Sequence, residues 1–158
     1  MKFLIDAMHG RIARYLRILG YDTYYSNDIS DTQILELAQK ENRILITRDI
    51  QLAERAKLRK IPYILLKSTD FIKNFYLIYK KFSINLNADP NKSRCPVCNS
   101  ELTPISKEFV KDKIPQKTFQ KFNEFWICKN PKCQKIYYYG MHWEKIKSKL
   151  EKIKNYIK

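Results

Sequence analysis

Four cysteines and a scatter of aspartates are the residues of this 158-residue chain whose types and spacing could do chemistry. The cysteines are its only ones, set as Cys95-Pro-Val-Cys98 and Cys128-Lys-Asn-Pro-Lys-Cys133. Two tight pairs closing on one ion is the pattern of a tetrahedral structural zinc site. With four thiolates around the ion no position stays open for a substrate water, so hydrolysis at the zinc is excluded. Any catalysis then falls to the aspartates. Asp6 and Asp49 follow short apolar runs, and Asp28 and Asp31 lie in the loop and helix start after another strand. Carboxylates held close repel unless a cation sits among them. Mg²⁺ or Mn²⁺, which prefer oxygen ligands, would serve, and such a site can activate water against a phosphodiester. Each acid also has a plainer use. Asp31 and Asp49 can cap helices and Asp28 can make an Asx turn. Asp6 has no capping duty before a helix beginning two residues later.

The elements that must carry these residues read as strand and helix in alternation. Lys2-Phe3-Leu4-Ile5 is a buried strand ending at Asp6. A helix over 8–19 puts Met8, Ile12, Leu16 and Leu19 on one face, with Arg11, Arg14 and Arg17 near the other, and Gly20 closes it. Residues 22–25 form a second strand. Ser30 or Asp31 caps a helix over 32–41, and Ile44-Leu45-Ile46 runs into Thr47-Arg48-Asp49. A helix over 50–59, a strand over 63–66 and a helix opened by Asp70 complete the pattern. Four strand–helix units at this spacing imply an α/β fold with a mostly parallel sheet flanked by helices. In such sheets chemistry sits beyond the carboxyl ends of the strands, the edge that Asp6 and Asp49 occupy.

A polar, turn-rich stretch over 85–93 marks a boundary, dividing the chain into 1–90 and 91–158. The second part holds the cysteines, a Lys-rich stretch over 107–121, an aromatic strand over 122–127, the run Lys135-Ile136-Tyr137-Tyr138-Tyr139, and a helix over 142–157. The formal net charge is +15. Residues 1–90 carry 15 basic and 10 acidic side chains; residues 91–158 carry 16 and 6. A half this basic, with interleaved aromatics, suits a polyanion, nucleic acid before an anionic membrane surface. A lysine-rich solvated surface is the plainer reading. No apolar run is long enough to span a membrane, and Asp6 interrupts the N-terminal run too early for a secretory signal. Paired cysteines without a signal point to a cytoplasmic protein whose thiols stay reduced. Arg14, Arg17 and Arg48 are candidate phosphate contacts, as are Lys111, Lys113 and Lys117. Thr47 could bond a scissile phosphate or satisfy a backbone group. His9 could reach the same edge, and His142 could replace a cysteine as ligand, though four cysteines make that unnecessary.

The segments KFLIDAMHGRIARYLRILGYDT, SDTQILELAQKENRILITRD and RCPVC…FWICKNPKCQKIYYYGMHW together resemble the Mut-seven-C ribonuclease-type family, over roughly residues 2–145. The resemblance implies a PIN-like nuclease domain followed by a zinc ribbon, acting on RNA through an acidic divalent-metal site. By position it makes Asp6, Asp31 and Asp49 the catalytic, Mg²⁺- or Mn²⁺-binding acids. Fuller PIN nucleases carry a fourth acid shortly after the Thr-x-Asp turn. Here Gln51 and Leu52 stand there, then Glu54, so Glu54 or Asp28 would have to substitute. The alternative expectation is a non-catalytic RNA- or ribosome-binding protein with a degenerate site; a toxin is less natural with a ribbon attached.

Overall fold

The computed structural model describes residues 1–156, so Ile157 at the end of the expected C-terminal helix lies outside the described residues. Strands β1 (Lys2–Ile5), β2 (Asp22–Tyr25), β3 (Ile44–Thr47) and β4 (Tyr63–Leu65) form one parallel sheet in the order β2-β1-β3-β4. Helices α1 (Gly10–Ile18), α2 (Asp31–Lys40), α3 (Ile50–Leu58) and α4 (Phe71–Phe82) connect and follow them. Ser30, not Asp31, caps α2: its side chain accepts from Gln33 N–H while Gln33 reaches back to the Ser30 N–H.

Strand alternation sorts the core. Phe3, Ile5 and Ile46 face α1 and α4, whereas Leu4 and Leu45 face α2 and α3. Both faces are covered, as parallel sheets require. The chain passes through Gly20, whose φ of +91° places it in the left-handed region at the end of α1. A Cβ there would lie 2.7 Å from the Lys92 carbonyl oxygen, so the chain crossing at Lys92 needs a glycine beneath it.

Beyond residue 90 the chain builds a second sheet, antiparallel, in the order β5-β6-β7: β5 (Leu102–Ile105), β6 (Phe125–Cys128) and β7 (Ile136–Tyr137). The Lys-rich stretch folds as two short helices, α5 (Lys107–Val110) and α6 (Gln116–Lys121). Helix α6 runs up to Phe122, so β6 begins later than the aromatic run suggests. Helix α7 (Met141–Lys154) then returns to the first sheet and adds Ile146, Leu150 and Ile153 to the core formed by α1 and α4.

The two sheets are bracketed by buried polar groups. Ser93 Oγ donates to the Ile18 carbonyl, and Asn99 bridges β2, accepting from Thr23 N–H at 2.9 Å and donating to Asp22 at 2.8 Å. Arg43, itself buried, donates to Asp22 at 2.8 Å and to the Phe3 carbonyl. Burial pushes the Asp22 carboxyl upward, but hydrogen bonds from Arg43 and Asn99 outweigh it and hold the group below its ordinary range.

Candidate active site and metal centre

Because β1 has β2 on one side and β3 on the other, successive crossovers diverge at the β1/β3 junction, the crevice where open α/β sheets bind ligands. The backbone pairing continues one step past β1, with Asp6 N–H donating to the Ile46 carbonyl at 3.2 Å. That holds Asp6 against the end of β3. Its carboxylate is buried at 9 % exposure and accepts a short hydrogen bond from the Thr47 hydroxyl. The Thr47 oxygen in turn accepts from the Asp49 N–H at 3.0 Å. Thr47 therefore ties the Asp6 carboxylate to the backbone amide of Asp49 across the switch point. Asp49 also caps α3, its Oδ1 accepting from Leu52 N–H at 3.1 Å, and keeps its side chain at the solvent edge.

His9 lies on the same edge. It is 8 % exposed, and its Nε2 has no hydrogen-bond partner among the described residues. Burial lowers its pKa and the Arg48 charge adds to that, against the pull of Asp6, so the ring favours its neutral form. Tyr25, which no motif singled out, fixes the loop that follows Asp6 by donating from its hydroxyl to the Ala7 carbonyl at 2.9 Å. Its pairing opposite Ile5 in the parallel register is the signal that would have placed it at this edge.

Asp31 is not joined to the Asp6–Thr47–Asp49 chain. It is exposed at the start of α2, with Arg55 Nη1 3.9 Å from its carboxylate. Asp28 and Glu54 are exposed as well. The acids therefore share a sheet edge without closing into a three-ligand cage. Mg²⁺ does not need one: it is usually held by one or two carboxylates, with waters and substrate phosphates completing the shell. The all-oxygen donor set of Asp6 and Asp49 fits such a hard cation.

Among the expected phosphate contacts, Arg14, Lys111, Lys113 and Lys117 are exposed and Arg48 is half-buried. Arg17 departs from the expectation. It is 6 % exposed, and its guanidinium donates to the Thr23 carbonyl at 3.0 Å and to the Pro96 and Val97 carbonyls at 3.0 and 3.2 Å. It clamps the first cysteine knuckle onto β2 rather than meeting solvent. Trp126 is buried, its Nε1 donating to Asn91, and Trp143 packs edge-on to Tyr139, so both belong chiefly to the packing.

Cys95, Cys98, Cys128 and Cys133 have their Sγ atoms within 4.8 Å of one another and form no disulfide; among the described residues they are the one group of three or more such ligands able to hold a metal. The Cys95–Cys133 and Cys98–Cys128 sulfur separations are 3.8 and 3.3 Å. A tetrahedron with Zn–S bonds of about 2.3 Å has edges of about 3.8 Å, so the four thiols fit zinc. Burial raises the Cys98 thiol, but hydrogen bonds from Ser100 and Cys128 outweigh it and bring the pKa to about 6. Burial drives Cys128 up to about 12, so a bound cation must supply the stabilisation of that thiolate. The Tyr137 hydroxyl lies 3.0 Å from Cys95 Sγ, placed to donate to the thiolate, the kind of outer contact that steadies a metal ligand. His142 takes no part in this group.

A parallel four-stranded α/β unit is thus followed by a small antiparallel sheet whose four-cysteine group is compatible with a zinc ribbon. The family model described as "Mut7-C RNAse domain" matches residues 1–150, and the chain belongs to that family. A comparison with curated proteins returns no match. No helix among the described residues is long and apolar enough to cross a membrane.

Proposed function

We propose that the chain is a cytoplasmic, metal-dependent ribonuclease in which residues 1–90 carry the cutting site and residues 91–158 strengthen RNA binding. The observation that supports this best is that Thr47, bonded to the Asp6 carboxylate and to the Asp49 backbone N–H, sets both aspartates at the β1/β3 switch point, in a chain of a ribonuclease-type family. When bound, Mg²⁺ or Mn²⁺ supplies an activated water and neutralises charge on the scissile phosphate. Asp6 and Asp49 would hold the ion. Asp31, exposed at the α2 start beside Arg55, would be the third candidate ligand. Thr47 fixes one oxygen of the Asp6 carboxylate, and the Met8 N–H lies 3.5 Å from the other. His9, held neutral by burial, stands at the same edge with a buried, unpartnered Nε2. Arg14 and Arg48 orient the phosphodiester backbone by charge, and Lys111, Lys113 and Lys117 extend that attraction. Incubation of single-stranded and structured RNA with Mn²⁺ tests this. The wild-type chain should cut, and Asp6→Asn should lower the rate by at least about 100-fold, an effect of about 2.7 kcal/mol on the barrier. Equal cutting by both proteins would show that the activity belongs to a contaminant.

A second reading has its own observation. Asp49 already serves as a helix cap, and Asp31 faces Arg55, so two of the three acids have structural employment. On this reading the chain binds RNA, or the ribosome, without cutting it. It gives salt-dependent affinity and no Mn²⁺-dependent products.

A further inference from the structure

A cleft of about 860 Å³ opens between α1, the ribbon and α7. Resting on the RNA part of the reading above, we propose that this cleft is a channel for single-stranded RNA, leading from the acidic edge to the cysteine knuckles. Its charge is one-sided. Arg11, Arg14, Arg94, Lys135 and Lys149 line it, and no aspartate or glutamate does. Among the described residues none of those five cations forms an ion pair. Arg11 lies over the Phe71 ring at 4.2 Å, and the Arg94 guanidinium donates to the Asn99 carbonyl. Burial and the like charges of Arg11 and Lys152 depress the Lys149 pKa, a repulsion that an anionic ligand would relieve.

The walls between these cations are aromatic. Tyr25, Tyr138 and Trp143 present ring surface to the same space. A groove with unpaired positive charge and interleaved rings is built for a strand whose bases are unstacked and whose phosphates track the cations. A duplex conceals its base faces and is recognised across its shallow minor groove instead. The two ends give the cleft direction. At one end Gly10 and Tyr25 approach closely, a Cβ on Gly10 falling 3.0 Å from the Tyr25 hydroxyl. That same hydroxyl holds Ala7, the residue after Asp6. At the other end stand Pro96 and Val97 of the first knuckle and Lys135. A strand lying in the cleft would thus meet the switch-point edge at one end and the zinc module at the other.

Both tryptophans of the chain line this cleft, which provides an internal reporter. The test uses full-length Asp6→Asn protein with zinc retained and no Mg²⁺ or Mn²⁺, so that nothing is cleaved. Affinity for a short labelled single-stranded RNA is measured by anisotropy, together with tryptophan quenching. Three proteins are compared: the parent, the cleft variant Arg14→Glu/Lys149→Glu, and a charge-matched control on the opposite face, Lys40→Glu/Lys57→Glu. The cleft variant should lose at least roughly tenfold in affinity, and its salt dependence should fall by about 1.4 in log–log slope, at about 0.7 for each phosphate no longer neutralised. Quenching should weaken with it, and the control should stay within about threefold of the parent, since its two exposed cations keep only long-range influence. A blunt duplex of the same sequence should bind more weakly than the single strand and be equally indifferent to both variants. The milder pair Arg14→Ala/Lys149→Ala, with zinc content confirmed, guards against misfolding and should move in the same direction. Equal losses for cleft and control, or a duplex that binds as tightly as the single strand, would overturn the channel. Binding through the cleft with no cleavage by wild-type protein would sink the nuclease reading and leave the channel intact.

Discussion

Replacing Arg17 by methionine would keep most of the side chain's length and apolar stem while removing its guanidinium. That group donates to the Thr23 carbonyl from Nε and to the Pro96 and Val97 carbonyls from Nη1, in a site with 6 % exposure. A hydrogen bond from a charged donor contributes about 1.5–3 kcal/mol, and a buried acceptor left bare costs about 1–3 kcal/mol. Val97 is an exposed residue, so water can replace part of the knuckle contact. Counting the Thr23 bond in full and the two knuckle bonds as one gives a destabilisation of about 3–4 kcal/mol. For a chain of this length each kcal/mol shifts Tm by about 2–4 °C, so Arg17→Met should lower Tm by roughly 10 °C. The assay is thermal unfolding of the zinc-loaded protein by circular dichroism, beside the rate of zinc transfer to a chromogenic chelator. That rate should rise, because two of the acceptors left bare sit between Cys95 and Cys98. A Tm within about 2 °C of wild type, less than 1 kcal/mol of effect, with unchanged zinc release and weakened RNA binding, would refute the clamp and return Arg17 to the role of a phosphate contact.

Other variants probe other parts of the molecule. Cys128→Ser should abolish stoichiometric zinc binding and expose the β5–β6–β7 module to protease, since so small a sheet draws its stability from the metal; metal analysis and limited proteolysis read both. Leu150→Ala should cost about 3 kcal/mol, seen as a lower urea midpoint at unchanged m, because Leu150 is 3 % exposed in the core beneath α4. His9 has a folded pKa below its unfolded value of about 6.5, so the unfolded state takes up a proton that the folded state refuses. Its contribution is complete above about pH 6.5 and is lost as pH falls, and His9→Gln at matched zinc should flatten the decline of unfolding free energy between about pH 6.5 and 5.

Short apolar runs bounded by Asp, Asn, Gly and Pro made the four parallel strands legible almost to the residue, and Ser30 with Gln33 wrote its own capping box. The four-cysteine group was equally plain, because two tight cysteine pairs leave few other uses. Strand β5 has no such signature. Pro104 within it interrupts the strand pattern and is tolerated because β5 lies at the sheet's edge. The coupling of Asp6 to Asp49 needed the order β2-β1-β3-β4, which no local pattern contains. Arg17 was opaque for a related reason. Its helix spacing sets it beside Arg14, but its acceptors come from residues 79 and 80 positions later in the chain. The cleft, too, is assembled from α1, the ribbon and α7, and its cations become neighbours only after folding.

The return of α7 to the first sheet has a consequence for how the chain is made. Ile146, Leu150 and Ile153 finish a core whose other members end near Leu86, with the whole cysteine module synthesised in between. A growing chain that has emerged only as far as α4 therefore carries an open apolar face where α7 will lie, and domains ordinarily close as units while synthesis proceeds. The packing over one face of the first sheet is completed only after the cysteine module has been translated. A chain truncated within the cysteine module would leave that apolar face of the first sheet uncovered. Chain order thus makes burial of the first sheet's α1–α4 face depend on residues that follow the cysteine module.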